Sequence, residues 1–320
     1  MSLPRVIRAI RNKKNKRFVI AAHVNPEADA LGSALALAAL LRQVGKQARV
    51  INDGGTPKAL EFLPGSSRVG KRLPRGFVPD VAVTVDVPVY YRIGSVKPIF
   101  EQVPLLISID HHASHQGFAQ INWVDPSAPA TGAMIYQLYQ AMKVPFPKDA
   151  AYCMQAAIVT DTGSFKYRNT TASVLRMAAD LIQRGKVSPL EISQNLYESH
   201  RLKDLKILGD ILRRLKSGAG GRVAWVEVPR ALMRRAGPEI IDELVNYPRA
   251  IKKVEVAMAM RESLDQHAVR VSLRSKGRVN VDMVARAFGG GGHRAASGCT
   301  VKGNLAQVRQ QLLREIKKRL

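Results

Sequence analysis

The segment that decides the fold comprises residues 17–45 and reads RFVIAAHVNPEADALGSALALAALLRQVG. Residues 17–24 are apolar and partly β-branched, which is typical of a strand. A turn follows at Asn25-Pro26, and an apolar helical pattern over residues 30–44 stops at Gly45, because glycine commonly ends a helix. The segment therefore predicts a strand–turn–helix unit with polar residues between the strand and the helix.

Further apolar runs in the same half of the chain predict more strands, at residues 48–52, 81–87 and 105–109. The last two are nearly continuously apolar, which is typical of parallel strands covered on both faces. Helical patterns occupy residues 130–142, 149–159 and 171–184, and Gly185 is a stop signal after the last of them. This order of elements predicts an α/β domain with a parallel sheet over residues 1–187.

The remaining residues predict a connector and a second, smaller domain. Residues 189–216 carry many charges and leucines and predict helix, which ends in the break Ser217-Gly218-Ala219-Gly220-Gly221. We expect residues 188–221 to form a helical linker. Residues 222–320 then predict a mixed α/β domain, with strands at 222–228, 254–261 and 268–274, a helix at 281–288, a glycine run, and a basic helix at 305–320.

The composition limits the class of protein and its compartment. With 320 residues and 46% hydrophobic content, the chain is long enough for two domains with separate cores. Its apolar stretches are shorter than the roughly 18 residues that a membrane helix needs. The basic residues before Phe18 lack the apolar segment of a secretory signal, and Cys153 and Cys299 lack the spacing of a disulfide framework or a zinc site. We expect a cytoplasmic protein.

The formal net charge of +25 is the strongest compositional signal. A positive field of this size concentrates polyanions near the surface and speeds their capture. Nucleic acid or nucleotide is therefore the favoured partner, although a generally basic proteome or plain solubility would give the same charge. The charge indicates a class of substrate and not a reaction.

The residues after the first predicted strand carry the first chemical signal. His23, Glu27 and Asp29 fall within seven residues, at the carboxyl end of the strand, where open α/β sheets bind ligands. One imidazole and two carboxylates suit a divalent cation that accepts nitrogen and oxygen ligands, such as manganese. The alternative is a buried histidine with its own hydrogen bonds and two carboxylates that stabilise a helix N-terminus.

Other segments add carboxylates and histidines. Asp86 follows the apolar residues 81–85, Asp110-His111-His112 follows the next strand, and Asp161 closes an apolar helical stretch. Because the carboxyl ends of parallel strands meet at one edge of a sheet, we expect these groups to converge with His23. So many carboxylates in one place would repel one another and have raised pKa values unless cations neutralised them. The pattern predicts a metal site, and two ions fit it better than one.

Taken together, these segments resemble those of the DHH phosphoesterases, specifically the DHH–DHHA1 branch of nano-RNases and pAp phosphatases (NrnA-like). The resemblance covers nearly the whole chain and rests on the joint order of several short motifs. They are His23-x-x-Pro26-x-x-Asp29-Ala30-x-Gly32-Ser33, Val85-Asp86, Asp110-His111-His112, Ala130-Thr131-Gly132-Ala133, Thr160-Asp161-Thr162-Gly163-Ser164-Phe165 and Gly289-Gly290-Gly291-Gly292-His293-Arg294-Ala295-Ala296-Ser297-Gly298.

The resemblance implies two divalent cations, with manganese as the expected ion and magnesium or cobalt as alternatives. One ion is expected on His23, Glu27 and Asp86, and the other on Asp29, Asp86, His111 and Asp161, with Asp86 shared. Glu27 departs from the family, which usually has aspartate there, so we expect the first site to be shifted, weaker or more tolerant of other metals. His112 is expected to approach the scissile phosphate, and Asp86 and Asp110 complete the catalytic set.

The glycine run before His293 has two interpretations. It lacks the G-x-G-x-x-G spacing after a first strand that dinucleotide-binding folds use. Backbone amides without side chains can approach a phosphate closely, and the resemblance implies that this segment grips the part of the substrate away from the scissile bond. The expected substrate-binding residues are Arg274, Ser275, Gly290, Gly291, Gly292 and His293. The alternative is that the glycines only permit a tight turn.

The sequence thus predicts a parallel-sheet DHH domain joined by helices to a mixed α/β DHHA1 domain, with the active site in the cleft between them. The expected activity is stepwise hydrolysis of short oligoribonucleotides to mononucleotides, with 3′-phosphoadenosine 5′-phosphate as a second substrate. Short RNA oligonucleotides and nucleotides are the expected partners. A homodimer is compatible with this interpretation, and neither a membrane nor an obligate protein partner is indicated.

Other functions remain open on the same fold. A stand-alone phosphodiesterase for cyclic or linear dinucleotides is the main alternative enzyme. An inorganic pyrophosphatase is weaker, because its usual closing motif with lysine and arginine is not found and the glycine-rich motif is present instead. A non-catalytic nucleic-acid-binding protein is the alternative outside enzymes, and it is disfavoured because carboxylates without metals would repel an anionic ligand.

Overall fold

A computed structural model describes residues 2–198, 201–237, 240–241 and 244–320 of the protein. The backbone contacts divide the chain into two compact units, Met1–Glu198 and Ser199–Leu320. Each unit has its own sheet and its own hydrophobic core. Among the helices of the described ranges, none is long and apolar enough to cross a membrane.

The first unit is built on one sheet, and all of its five strands lie within residues 2–198. The strands are β1 (Arg17–Ala21), β2 (Gln47–Val50), β3 (Val81–Val85), β4 (Leu105–Asp110) and β5 (Ile121–Val124). Their order across the sheet is β2-β1-β3-β4-β5, and neighbouring strands are parallel throughout. The predicted parallel sheet is confirmed, and the strand order reverses direction between β1 and β3.

Helices of the first unit are α1 (Leu3–Arg11), α2 (Ala28–Gln43), α3 (Lys97–Glu101), α4 (Thr131–Met142), α5 (Lys148–Asp161), α6 (Ala172–Gly185) and α7 (Pro189–Tyr197). Both α2 and α4 pack tightly on α5 at a glycine. A Cβ on Gly32 would lie 2.7 Å from the carbonyl oxygen of Cys153, and one on Gly132 would lie 2.4 Å from the Cβ of Ala157. These glycines therefore allow the N-terminal halves of α2 and α4 to approach α5 closely.

The sheet of the first unit is covered on both faces. One face packs on α2, α4 and α5 through residues such as Leu31, Met134 and Ile158, and the other covers Val19, Ala82 and Phe100 with the segment around α3. Every position of β3 is buried, which explains its continuously apolar sequence. Burying one large aliphatic or aromatic side chain contributes roughly 1.5–3 kcal/mol to stability, so this two-sided core holds the strand ends rigidly.

Three elements of this unit, α1, α3 and β5, were not predicted. Helix α1 is amphipathic and buries Val6 and Ile10, while its three arginines are exposed. Strand β5 is only four residues long and alternates buried and half-buried positions, because it is an edge strand with β4 as its neighbour. Short, alternating and basic segments carry a weaker periodic signal than long apolar ones.

The second unit contains a mixed sheet with the strands β6 (Lys216–Gly218), β7 (Val223–Val228), β8 (Val256–Glu262), β9 (Ala268–Ser275), β10 (Gly291–His293) and β11 (Ala296–Lys302). Within the described ranges the order is β10-β11-β9-β8-β7-β6, with β7 and β8 parallel and the other pairs antiparallel. Helices here are α8 (Leu202–Leu212), α9 (Arg230–Met233), α10 (Asn246–Ala250), α11 (Val281–Arg286) and α12 (Leu305–Lys317). The mixed α/β prediction is confirmed.

The two faces of this second sheet are covered differently. One face packs Met258, Leu273 and Val301 against α11 and α12. On the other face, Val226 and Ala259 of β7 and β8 pack against α8 and the segment that contains α9. The same face continues across β9 and β11, where the alternating residues are polar or small and only partly buried.

Residues 189–216 were predicted to form connecting helices, and the described part of this segment does contain helices. The segment contains α7 and α8, and Arg201 has an extended backbone at the start of α8. The expected flexible break at residues 217–221 begins within strand β6 and turns through Ala219, Gly220 and Gly221, whose φ angles are all positive. Helix propensity alone does not reveal the break between α7 and α8, because the leucines and charged residues on both sides of it favour helix equally well. The assignment of residues 188–221 as a linker stays a prediction.

Cys153 and Cys299 are both free thiols and both are buried. Burial raises the pKa of each, that of Cys299 to about 11. A nucleophilic cysteine needs a lowered pKa and access to solvent. Both residues therefore act in packing, as expected from their spacing.

Candidate active site

The candidate active site lies beyond the carboxyl ends of the strands of the first sheet. His23 follows β1, Asp86 follows β3, and Asp110, His111 and His112 stand at or just after the end of β4. In open α/β sheets the crevice at the reversal of strand order, here between β1 and β3, is where ligands bind. The expected convergence of these residues at one edge is therefore seen.

Asp29 lies in the first turn of α2 and is 1% exposed. Its carboxylate accepts hydrogen bonds from the backbone N–H groups of Thr131 (to Oδ2, 2.8 Å) and Gly132 (to Oδ1, 2.8 Å), and Oδ1 also accepts one from the hydroxyl of Ser33 at 3.0 Å. The N–H groups at a helix N-terminus attract negative charge. The first turn of α4 therefore holds this buried carboxylate.

Asp86 has a backbone φ of +59°, in the left-handed region that a residue other than glycine seldom adopts. Its Oδ1 accepts a hydrogen bond from the Thr131 hydroxyl at 3.0 Å. The same atom lies 3.6 Å from Nε2 of His111 and 3.4 Å from Nδ1 of His112, whereas Oδ2 lies 3.5 Å from Nε2 of His23. The two oxygens of Asp86 thus face different imidazoles.

His111 is the centre of a group of carboxylates. Its Nε2 lies 3.2 Å from Oδ2 of Asp161, 3.6 Å from Oδ1 of Asp86 and 3.8 Å from Oδ2 of Asp29. Its Nδ1 lies 3.3 Å from the carbonyl oxygen of Ala128, so the ring donates from Nδ1 and directs Nε2 at the carboxylates. Orientation of an imidazole by a carbonyl acceptor is typical of metal-binding histidines.

The electrostatics of Asp29 and His111 reflect burial among like charges. Burial raises the pKa of Asp29 well above its usual range, and the negative charges of Asp86 and Asp161 raise it further. Burial lowers the pKa of His111, but the hydrogen bond to Asp161 and the surrounding carboxylates outweigh burial and raise it to about 10. The imidazole is therefore protonated at neutral pH and supplies positive charge that a divalent cation would also supply.

The pKa of Asp86 is shifted in the opposite direction to that of Asp29. Burial raises its pKa, but the hydrogen bond with His23 and the charges of His112 and His111 outweigh burial, so the pKa of Asp86 lies below its usual range. The difference arises because three imidazoles surround Asp86, whereas Asp29 faces one. Asp86 is therefore the carboxylate that remains ionised most firmly.

The donor set fits divalent cations. Asp29, His111 and Asp161 each offer a ligand atom within 4.8 Å of the others, and so do Asp86, His111 and His112. Imidazole nitrogen and carboxylate oxygen are ligands that manganese and related ions accept. The buried negative charge needs compensation in addition.

His112 and Asp110 form a separate pair. Nδ1 of His112 donates to Oδ1 of Asp110 at 2.7 Å, and the backbone N–H of His112 donates to the same oxygen at 3.1 Å. Asp110 is fully buried. Burial lowers the pKa of His112, but the hydrogen bond to Asp110 and the charges of Asp86 and Asp110 raise it above its usual value. Asp110 thus fixes the orientation of the His112 ring.

Glu27 differs from the other predicted metal ligands in being exposed. It is the exposed residue before α2, with an extended backbone, and its side chain does not cap the helix. The clusters of closely spaced donors in the described ranges do not contain it. Its assignment as a metal ligand stays a prediction.

The expected substrate-binding residues lie in the second unit, and the structure brings two of them to one face. His293 is paired with Ala296 and Ala296 with Arg274 across three antiparallel strands. Paired residues project on the same face, so Arg274 and His293 flank the small Ala296 at about 10 Å strand to strand. Ser275 projects to the opposite face of β9, where its buried Oγ accepts a hydrogen bond from the N–H of Gly277.

The glycine run packs against β11. A Cβ on Gly290 would lie 2.1 Å from the carbonyl oxygen of Gly298, and the N–H of Gly290 donates to the carbonyl of Ala285. The N–H of Gly292 donates to Oδ1 of Asp282 at 2.9 Å, and Nε of Arg286 donates to Oδ2 of the same carboxylate at 2.7 Å. The glycines therefore permit close packing, and a carboxylate of the chain occupies the Gly292 amide.

Comparison with models of protein families matches residues 17–158 to the N-terminal domain of the DHH family and residues 230–320 to the DHHA1 domain. A protein of Thermus thermophilus, named bifunctional oligoribonuclease and PAP phosphatase NrnA, is 32% identical over 305 residues, which cover 94% of this chain and 89% of the relative. The chain belongs to the DHH/DHHA1 family of phosphoesterases.

Two further matches support the DHH/DHHA1 assignment. A Bacillus subtilis protein of the same name is 31% identical over 289 residues, covering 89% of each chain. The crystal structure of an exopolyphosphatase-related protein from Bacteroides fragilis superposes with a TM-score of 0.90, at 24% identity and with 99% of this chain and 96% of that chain covered. At this identity the structural match shows the fold alone.

Sequence reasoning missed the groups that hold the carboxylates. Ser33 and Thr131 were part of the quoted motifs but had no assigned role, and Asp282 was not singled out. A signal was present for Thr131, because it opens a helical pattern directly after Ala130, and helix N-termini bind anions. Nothing in the spacing shows that the anion is Asp29, which is 102 residues away in the chain.

Proposed function

We propose that the chain is a two-metal phosphoesterase that hydrolyses short oligoribonucleotides to mononucleotides. The observation that carries this proposal is the meeting of Asp29, Asp86 and Asp161 within 3.8 Å of one imidazole nitrogen of His111. Three carboxylates at this density require cations. The carboxylates lie at the carboxyl edge of the parallel sheet of a phosphoesterase fold. Divalent cations bound there would supply the chemistry of phosphate-ester hydrolysis.

The assignment of ligands to the two cations is part of the proposal. His23, Glu27 and Asp86 would hold one ion, and Asp29, Asp86, His111 and Asp161 the other. The division is supported by Asp86, whose Oδ2 faces His23 and whose Oδ1 faces His111. When bound, the cations supply stabilisation of phosphoryl charge and activation of a water molecule. Manganese is the ion we propose, with magnesium and cobalt as alternatives.

Glu27 is the weakest member of this set, because it is exposed and one methylene longer than the usual family residue. We expect Glu27→Asp to change the manganese concentration needed for half-maximal activity and to leave the order of preferred substrates unchanged. Titration of both proteins with Mn²⁺ on one dinucleotide measures this. Coincident titration curves would remove Glu27 from the ligand set.

His112 and Asp110 have a different task in the proposed reaction. Asp110 holds the imidazole through Nδ1, and the raised pKa of His112 favours the protonated ring, which can donate a hydrogen bond to an anionic phosphate oxygen. His112 would therefore neutralise charge on the scissile phosphate. Asp110 would position it.

The substrate class rests on the relatives and on charge. The two relatives described above are named for oligoribonuclease and PAP phosphatase activity, and the net charge of +25 favours polyanionic substrates. We propose that Arg274 and His293 contact the part of the substrate away from the scissile bond, with Ser275 and the glycines Gly290, Gly291 and Gly292 shaping the segment around them. Two buried free cysteines fit the cytoplasm as the proposed location.

The test is a panel of substrates with the purified protein and Mn²⁺. Dinucleotides, longer oligoribonucleotides, 3′-phosphoadenosine 5′-phosphate, cyclic dinucleotides and pyrophosphate are offered side by side, with Asp86→Ala and a chelator as controls. We expect the fastest hydrolysis on the shortest linear oligoribonucleotides and measurable release of phosphate from 3′-phosphoadenosine 5′-phosphate.

Each alternative gives a different result on this panel. Preferred hydrolysis of cyclic dinucleotides would replace the proposed substrate class with the second one considered above. Tight binding of oligoribonucleotides with no Mn²⁺-dependent product would indicate a non-catalytic binding protein. Activity of Asp86→Ala above a tenth of the wild-type value would exclude the proposed two-metal site.

A further inference from the structure

Thr131 contacts two of the carboxylates of the candidate active site at once. Its backbone N–H donates to Oδ2 of Asp29 at 2.8 Å, and its hydroxyl donates to Oδ1 of Asp86 at 3.0 Å. Thr131 is fully buried, so water does not compete for these bonds. Hydrogen bonds from neutral donors to charged groups are among the stronger ones in proteins.

The hydroxyl bond bears on the orientation of Asp86. This residue is at the end of β3 with a positive φ, and the rotation of its carboxylate decides which oxygen faces which imidazole. With Thr131 bound to Oδ1, that oxygen faces His111 and Oδ2 faces His23. Rotation of the carboxylate by a half-turn about its own axis would be chemically equivalent, but any smaller rotation would turn both oxygens away from the two imidazoles.

The position of Thr131 is itself set by close packing. It begins α4, and the next residue, Gly132, lies against α5 so closely that a Cβ would be 2.4 Å from the Cβ of Ala157. The first turn of α4 therefore cannot move away from α5 or from Asp29 without opening the core. A hydroxyl on so rigid a base is a fixed donor.

We propose that Thr131 is a positioning residue that holds Asp86 in the orientation in which its two oxygens face two cations. This inference rests on the proposed two-metal function. In the motif Ala130-Thr131-Gly132-Ala133, the backbone amides of Thr131 and Gly132 hold Asp29. The hydroxyl of Thr131 orients Asp86 as the ligand that both cations share.

The test compares Thr131→Val, which keeps the shape and the backbone N–H but removes the hydroxyl, with Thr131→Ser, which keeps the hydroxyl. Thr84→Val is the matched control, because Thr84 is also buried in this sheet and its hydroxyl donates to Ser108 at 3.0 Å. Mn²⁺ is titrated into each metal-free protein and followed by electron paramagnetic resonance, which counts free ion and detects magnetic coupling between two ions that share a ligand.

We expect wild-type protein, Thr131→Ser and Thr84→Val to bind a coupled pair of ions. Thr131→Val should bind the second ion about 10- to 100-fold more weakly, the range typical for groups that orient metal ligands, and should lose the coupled signal. Melting of the metal-free proteins checks that each is folded. Thr131→Ala replaces Thr131→Val if the valine variant does not melt cooperatively.

Three negative results are distinguishable. A coupled pair of unchanged affinity in Thr131→Val would overturn the role of Thr131 and leave the two-metal proposal standing. A wild-type protein that never shows a coupled pair would overturn the two-metal proposal, and the role of Thr131 with it. Equal weakening in Thr131→Val and Thr131→Ser would show that packing, and not the hydroxyl, is what the site requires.

Discussion

Asp29 in the first unit and Asp282 in the second both accept hydrogen bonds from backbone amides of another segment. Asp29 lies in the first turn of α2 and accepts from the amides of Thr131 and Gly132, and Asp282 lies in the first turn of α11 and accepts from the amide of Gly292. Both therefore occupy a position near a helix N-terminus, where negative charge is favourable. Their other partners differ.

The two carboxylates differ in how their negative charge is balanced. Asp282 is paired with Arg286, whose side chain is mostly exposed, so its charge is already balanced. Asp29 is buried beside Asp86 and Asp161, and the imidazole of His111, which approaches Asp29, is shared with both. Amides alone do not neutralise three carboxylates, and a buried unbalanced charge is costly. We therefore expect the amides that hold Asp29 to serve a metal site, whereas the amide of Gly292 closes a loop on Asp282.

The largest effect should follow from removing the charge of Asp29. Asp29→Asn keeps the size of the side chain but offers an N–H₂ group to one of the two α4 amides and no anion to a cation. We expect activity on a dinucleotide to fall by more than about a hundredfold, beyond the range typical for groups outside the ligand shell, and the rise of the melting temperature on adding Mn²⁺ to disappear. Activity within tenfold of wild type would show that the site works without the charge of Asp29.

A smaller loss is expected from the other unit, on Arg274 and His293. If they hold the remote part of the substrate, removing either one loses binding energy that positions the scissile phosphate. Charge-assisted hydrogen bonds are worth roughly 1.5–3 kcal/mol, and each 1.4 kcal/mol is about tenfold in rate. Arg274→Ala and His293→Ala should therefore lose about ten- to a hundredfold in kcat/KM on a dinucleotide.

The control for this prediction is bis-p-nitrophenyl phosphate, a small ester that has no remote nucleotide to hold. Its hydrolysis should change little in either variant. An equal loss on both substrates would assign Arg274 and His293 to the catalytic centre or to folding, and the proposed grip by the second unit would be abandoned.

Metal binding at this site should depend on pH, because protons and cations compete for the same groups. The pKa of His111 is raised to about 10 and that of Asp29 is raised as well, so the folded protein without metal holds protons at this site that a cation must displace. Raising the pH removes that cost, and we expect Mn²⁺ affinity to increase by up to about tenfold per pH unit for each proton displaced. Calorimetric titrations at pH 6.5, 7.5 and 8.5 measure it.

The same linkage gives the sign for the metal-free protein. A raised histidine pKa contributes stability that is fully present below the unfolded value near 6.5 and is lost as the pH rises through about 10. The melting temperature without metal should therefore fall over that range, and the stabilisation by Mn²⁺ should grow. An affinity that is independent of pH would mean that protons and cations do not compete at His111.

The smallest effect is expected from Asp282→Asn. The amide oxygen still accepts from Gly292, and only the ion pair with Arg286 is lost, which at a largely exposed pair is worth about 0–1 kcal/mol. We expect activity within about threefold of wild type and a melting temperature lower by a few degrees at most. A loss of more than tenfold in kcat/KM on a dinucleotide would mean that Asp282 shapes the substrate site. Asp282 would then matter for activity, as Asp29 is expected to.

Predicting the fold from sequence worked best where elements are long and apolar. The strands that became β1, β3 and β4 and the helices α2, α4 and α5 are strongly patterned, because burial on both sides of a parallel sheet demands apolar residues throughout. Strand β11 and the edge strands β5 and β10 were missed. Of the edge strands, β5 has a single buried side, and β10 consists of two glycines and a histidine, so neither carries a strong periodic signal.

The candidate site divides in the same way. The sequence by itself determined that carboxylates and histidines end the buried strands, and therefore which residue types meet at one sheet edge, because parallel strands place their carboxyl ends together. Only the tertiary structure decided how these groups are held. The contact of Thr131 with Asp29 joins residues 102 positions apart, and the contact of Gly292 with Asp282 depends on the turn after α11. Such bonds follow from close packing at Gly32, Gly132 and Gly290, where a neighbouring segment leaves no room for a Cβ. Local sequence carries no record of which partner will be within hydrogen-bond distance.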